Sequence, residues 1–155
     1  MPRYLGVDYG LKRIGLAVCD AETSVSMPLA TIDNCKSARE QVRAVAEYAT
    51  RYTADEIVVG LPLNMDDSEG GQAALSRRFG EQVARETGLP VRFHDERLSS
   101  RAATELLVAA GVPGRRRKAL VDKLAAQAIL QSFLELQEAN QANQTDEPTE
   151  PSSGR

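Results

Sequence analysis

Apolar residues fall into five short runs and four longer stretches at helical spacing. Tyr4-Leu5-Gly6-Val7-Asp8 reads as a strand ending in the turn Tyr9-Gly10. Arg13 to Cys19 is a second strand, with Ile14, Leu16 and Val18 alternating on one face. A turn at Asp20–Ser24 leads to a third strand, Pro28–Ile32, and three short strands in succession predict an antiparallel meander. The period then changes. Ser37-Ala38-Arg39-Glu40 fits a capping box, and Val42, Val45, Ala46, Ala49 and Tyr52 follow at helical spacing. Glu56–Gly60 has the continuous apolar run of a buried strand. After the polar loop Met65–Gly71, a helix is expected from about Gln72 to Thr87, stopped by Gly88-Leu89-Pro90. Val91–His94 is a fifth strand. Ser99 or Ser100 is placed to cap a helix running to Ala110, and Gly111-Val112-Pro113-Gly114 breaks it. In the last helix Val121, Leu124, Ala125, Ala128, Ile129, Phe133 and Leu136 form an apolar stripe, with Arg115–Lys118 as a loop or its first turn.

This order predicts an α/β domain, a mixed five-stranded sheet flanked by helices. Ligand sites in the parallel part of such a sheet lie beyond the carboxyl ends of its strands. Asp8, the Leu61–Asn64 loop and Asp95-Glu96 all fall there.

Composition alters the picture in three places. From Asn140 the chain turns to Gln, Asn, Thr, Glu, Pro and Ser, so residues 140–155 are expected to be a disordered polar tail and residues 1–139 the folded domain. The net charge of −3 is concentrated in that end: residues 135–155 carry −4, which leaves about +1 for the rest. Overall acidity therefore does not exclude a nucleic-acid partner, because the field at a cleft is local. The chain shows neither a long apolar span nor the apolar stretch of a signal peptide, so a cytoplasmic protein without membrane contact is expected. Cys19, Cys35 and His94 are too few for a zinc site without a carboxylate, and the two cysteines are expected as free buried thiols.

The candidate chemistry lies in three carboxylates. Asp8 ends a buried strand, where its charge needs a turn hydrogen bond or a cation. Glu96 ends another, in Asp95-Glu96-Arg97, a segment that also suits the start of a helix. Arg97 is placed either to neutralise Glu96 or to hold a phosphate through its planar fork. Asp122 lies near the start of the last helix at the edge of its apolar stripe, where an aspartate also simply complements the helix dipole. Taken together, the three are hard oxygen ligands suited to one or two Mg²⁺ or Mn²⁺ ions. Two such ions about 3.5–4 Å apart activate water and stabilise the leaving oxygen in phosphodiester hydrolysis. Lys12 and Arg13 after the Asp8 turn, and Arg115, Arg116, Arg117 and Lys118 before Asp122, are placed to receive a nucleic-acid backbone. Asn64 either hydrogen-bonds substrate or shapes its loop.

Four motifs in this order, Gly6-Val7-Asp8-Tyr9-Gly10 with Arg13-Ile14-Gly15, Gly60-Leu61-Pro62, Asp95–Ser99 and Asp122–Gln131, resemble the YqgF/RuvX family over about Tyr4–Leu136. Its members are bacterial proteins described as pre-16S rRNA nucleases and, earlier, as Holliday junction resolvases. The resemblance implies a ribonuclease H-like fold and metal-binding carboxylates at Asp8, Glu96 and Asp122. It implies a structured nucleic-acid substrate, with precursor rRNA favoured and branched DNA as the alternative. Ser99-Ser100 stands where many relatives carry threonine. A non-catalytic nucleic-acid-binding module is a third reading, and the retained carboxylates speak against it. The expected assembly is a monomer or weak homodimer.

Overall fold

A computed structural model describes residues 2–20, 22, 23, 25–33, 37–98 and 107–145, excepting the side chains of 118–123 and 144–145. Five strands, β1 (Arg3–Tyr9), β2 (Arg13–Asp20), β3 (Val25–Asp33), β4 (Glu56–Leu61) and β5 (Val91–Asp95), form one sheet in the order β3-β2-β1-β4-β5. The first three pair antiparallel as the expected meander, and β1, β4 and β5 run parallel. The mixed α/β architecture is the one anticipated. β3 begins three residues before the expected start at Pro28. A proline is tolerated because β3 is the sheet edge, and the β2–β3 register shifts at Leu16/Ala17, opposite Ala30 and Pro28.

Alternation along each strand divides the sheet into two buried faces. Leu5, Val7, Ile14, Leu16, Ile57 and Val59 pack beneath α1 (Ala38–Arg51) and α2 (Gly71–Thr87). Ser37 caps α1 by accepting from the Glu40 amide, as the capping box requires. Gly88, at φ 69°, closes α2 in the left-handed conformation that glycine adopts without strain. The opposite face, with Tyr4, Ala17, Cys19 and Val58, is covered by α3 (Gly114–Thr145) through Ala126, Ile129, Leu130 and Phe133.

Contacts along α3 fix its direction. Ala126 lies near Gly15 and Leu130 near Gly6, while Tyr4 meets Phe133 and its hydroxyl donates to Gln137 at 3.0 Å. The helix thus runs antiparallel to β1, and its N-terminal part reaches the carboxyl ends of the parallel strands. A Cβ on Gly6 would lie 2.9 Å from Leu130 Cβ and 3.1 Å from the Ala126 carbonyl, so only glycine admits the helix this close. The edge strand is tied in as well: Ser26 Oγ donates to the Gln127 carbonyl at 2.9 Å, and Gln127 Nε2 returns a bond to the Ser26 carbonyl at 2.9 Å.

The helix continues to Thr145, so residues 140–145 are helical and not part of an unstructured tail. Glu, Gln and Ala dominate its last turns, and extending a formed helix costs far less than starting one. Arg115–Arg117 belong to its first turns and not to a loop. The helix expected from Ser99 or Ser100 falls mostly outside the described residues; 107–109 are helical, and Gly111 follows at φ 75°. Cys19 is a buried free thiol, and Cys35 lies outside the described residues. No helix among the described residues is long and apolar enough to cross a membrane.

Candidate active site

The parallel strands bring two of the three expected carboxylates together. Asp8 is the penultimate residue of β1, paired with Gly15. By alternation it shares the α3 face with Tyr4 and Gly6. Glu96 directly follows β5, and its amide donates to the Leu61 carbonyl at 3.1 Å, which prolongs the β4–β5 pairing by one residue. That step puts Glu96 on the same face as His94. Gly60 makes room for it: a Cβ there would stand 2.7 Å from Glu96 Oε1, 2.8 Å from Glu96 Cγ and 2.5 Å from Ile129 Cδ1.

The Glu96 carboxyl lies against that of Asp8, so the two carboxylates cannot both be charged without repulsion. Burial first, then the charge and hydrogen bond of Asp8, and last the charge of Asp95 push the Glu96 carboxyl up to about 8. The repulsion in this half-buried pair favours a proton on Glu96, in the place where a cation would relieve it.

Asp122 lies on α3 one helical turn before Ala126, and its side chain is outside the described residues. Ala126 Cβ is 3.5 Å, and Asp8 Cβ 3.8 Å, from the point where a Cβ on Gly15 would sit. The helix rise of about 1.5 Å per residue carries the backbone from Ala126 to Asp122 by roughly 6 Å, toward the carboxyl end of β1.

The neighbours of Glu96 have separate tasks. His94 is buried, its Nε2 lies 2.9 Å from Ser132 Oγ, and its ring meets Phe133 edge-on. Burial pushes its imidazole below the usual range against the pull of Asp95, so it packs as a neutral ring and ties β5 to α3. Arg97 does not neutralise Glu96. Its Nε donates to Asp95 Oδ1 at 3.0 Å, its Nη2 to Asp95 Oδ2 at 2.7 Å and Asp67 Oδ1 at 2.6 Å, and its Nη1 to the Asn64 carbonyl at 2.8 Å. Arg97 in turn holds the Asp95 carboxyl below its ordinary range. Asn64 serves its loop, donating from Nδ2 to Ser68 Oγ at 3.0 Å. Both residues, expected among the substrate contacts, are engaged in bracing the 62–70 loop against the end of β5.

The basic groups lie at this same end. Lys12 and Arg13 are exposed on the β1–β2 turn, which closes with the Gly10 amide on the Arg13 carbonyl at 3.0 Å. Arg115 and Arg116 are exposed and Arg117 half-buried in the first turns of α3, about 15 Å along the axis from Ala126 at the helical rise. The side chain of Lys118 is outside the described residues. Two contacts had no local signal in the sequence because their partners are distant: the Arg97 brace to Asp67, and Gln72 of α2, whose Nε2 donates to the Tyr9 carbonyl at 2.9 Å.

Residues 2–136 match the family described as "RuvX: Holliday junction resolvase". A protein of Syntrophus aciditrophicus named "Putative pre-16S rRNA nuclease" is 42% identical over 133 residues, which cover 86% of this chain and 88% of that protein. One of the same name from Neisseria gonorrhoeae is 44% identical over 131 residues, 84% of this chain and 86% of its own length. Among solved structures, RuvC of T. thermophilus in complex with a Holliday junction substrate superposes with a TM-score of 0.55, covering 89% of this chain and 96% of that one. At 20% identity this likeness shows the fold, which is ribonuclease H-like.

Proposed function

The chain belongs to the RuvX family, and from that membership we propose that it is a nuclease of precursor 16S rRNA, hydrolysing phosphodiester bonds near the 5′ end with the help of divalent metal ions. The observation that carries the reading is the meeting of the Asp8 and Glu96 carboxyls at the carboxyl ends of β1 and β5; Asp122, one helical turn before Ala126 on α3, would join them. The match over residues 2–136 supports residues 1–139 as the nuclease unit, and we place it in the cytoplasm as a monomer or weak homodimer.

The donor set fits a hard cation. Asp8, Glu96 and Asp122 offer only oxygen, and displacing the proton from the first two frees a pair of anionic oxygens on one face of the sheet. One or two Mg²⁺ or Mn²⁺ ions held by these residues would supply an activated water and neutralise charge on the leaving oxygen. The protein's own part is to hold the carboxylates rigidly. Gly60 lets Glu96 lie back against Ile129, and the His94–Ser132 contact ties β5 to the helix that bears Asp122. Lys12 and Arg13 on the β1–β2 turn, and Arg115–Lys118 in the first turns of α3, would take the phosphates on either side of the cut, while Arg97 and Asn64 hold the adjoining loop.

The test is incubation of precursor 16S rRNA with wild-type protein and Asp8→Asn in Mn²⁺ and in Mg²⁺, with a four-way DNA junction alongside. Metal-dependent cleavage of the rRNA that Asp8→Asn abolishes is the expected result. Cleavage of the junction alone would move the substrate to branched DNA, the second reading, which the family description and the RuvC-like fold favour. Equal activity of the two proteins would reject the carboxylate site.

A further inference from the structure

The loop after β4 is built with unusual care for a segment that contributes nothing to the core. The Asn64 amide donates to the Ser68 carbonyl at 2.9 Å, Asp66 Oδ1 accepts from the Ser68 amide at 3.1 Å, and Leu63 bridges Glu69. Arg77 of α2 holds Glu69 from Nε at 2.9 Å, and Arg97 holds both the Asn64 carbonyl and Asp67. Asp67 adopts φ 68°, a strained conformation for a residue with a side chain. At the tip of this braced loop stands Met65, 94% exposed.

A lone exposed apolar side chain is ordinary on a mobile loop. A loop cross-linked from two sides that displays one in water calls for a different reason. Its place supplies one: Leu61, where the loop departs, is paired with Asp95 and accepts the amide of Glu96. Four residues of chain span at most about 14 Å, so Met65 lies within that reach of Leu61, at the same end of the sheet as the carboxylates. Unbranched and polarisable, methionine suits insertion between bases, and apolar wedges of this kind unstack a helix at modest cost.

We infer that Met65 is a specificity-determining residue that enters the base stack of the substrate beside the scissile phosphodiester, opening a paired strand for cleavage. The inference rests on the nuclease reading above and adds to it the means by which a structured RNA is opened.

The experiment uses the full-length protein and an RNA stem–loop carrying 2-aminopurine at successive steps around the cut. Binding is followed by anisotropy and unstacking by fluorescence, without divalent ions so that the RNA stays intact. Wild type is expected to raise the fluorescence at one or two steps. Met65→Ser is expected to bind yet lose most of that rise, and Met65→Phe to keep it. Met27→Ser, altering a methionine 60% exposed on the edge strand, is expected to behave as wild type. In Mn²⁺, Met65→Ser should raise the ratio of cleavage on a pre-opened stem to that on a paired stem by roughly tenfold, the scale of a partial unstacking cost. Equal fluorescence from wild type and Met65→Ser, or binding with no rise at all, would overturn the inference. If rRNA cleavage persisted in that case, the nuclease reading would stand without it. Absence of both binding and cleavage would reject the two together.

Discussion

Replacing Glu96 by Gln should make the metal-free protein more stable at alkaline pH while removing its activity. The Glu96 carboxyl has an ordinary value of 4.5 and is pushed up to about 8 in the folded chain, by burial first and Asp8 second. A raised folded-state value means the folded form holds the proton more tightly. The contribution to stability is therefore fully present below about pH 4.5. It falls as the unfolded chain gives up its proton and the folded chain keeps it, and it is gone above about 8. Each pH unit in that window is worth about 1.4 kcal/mol, so the ceiling is about 5 kcal/mol, and solvent reaching the half-buried carboxyl brings the realistic figure to about 2–3 kcal/mol. Glutamine does not titrate, and its amide can donate to Asp8 in place of the lost proton. The chain has no tryptophan, so urea unfolding followed by far-ultraviolet circular dichroism, in chelator and from pH 5 to 9, is the suitable assay. The stability of Glu96→Gln relative to wild type should climb by about 2–3 kcal/mol between pH 5 and 8. Mn²⁺ should then close the gap by stabilising wild type preferentially. Parallel curves for the two proteins over that range would refute the placement of Glu96 against Asp8.

Gly6→Ala should destabilise by about 2–3 kcal/mol, since the new methyl meets Leu130 Cβ and the Ala126 carbonyl, and backbone does not yield cheaply; thermal or urea unfolding measures it, and a loss under about 0.5 kcal/mol would place α3 farther from β1. Ser132→Ala leaves the buried His94 ring without that partner and should cost about 1–2 kcal/mol, read by the same unfolding assay. Changing Arg115, Arg116 and Arg117 together to Gln should weaken RNA binding and flatten its dependence on salt, by up to roughly 0.7–0.9 in log–log slope for each phosphate no longer neutralised; an unchanged slope from titrations at several salt concentrations would remove them from the interface.

Most of the sheet could be read from the chain because period-2 and period-3.6 patterns are local. Ile14 and Leu16 on one face, Val42, Val45 and Ala49 at helical spacing, and the apolar run in β4 are where those patterns place them. The meeting of Asp8 and Glu96 followed from topology: once β1, β4 and β5 are parallel neighbours, their carboxyl ends coincide. Side-chain choices among several partners did not follow. Arg97 stands beside Glu96 in sequence, yet Asp95 and Asp67 take its fork, because Asp95 points to the opposite face of the strand and the 62–70 loop folds back toward it. Asn64 is engaged in the same way. The end of α3 was misplaced because composition signals what cannot build a core, whereas an exposed helical extension needs none.

The route of α3 has a consequence for the order in which the protein is made. Asp8 leaves the ribosome well before α3, and the strands of the meander can pair soon afterwards. The face of the sheet bearing Tyr4, Ala17, Cys19 and Val58 has no cover until the residues from Ala126 to Leu134 have been translated. Domains fold as units, and late long-range contacts are the slow ones. A chain truncated before Ala126 therefore displays an open apolar face. Closure of that face waits on a segment made more than 100 residues after β1.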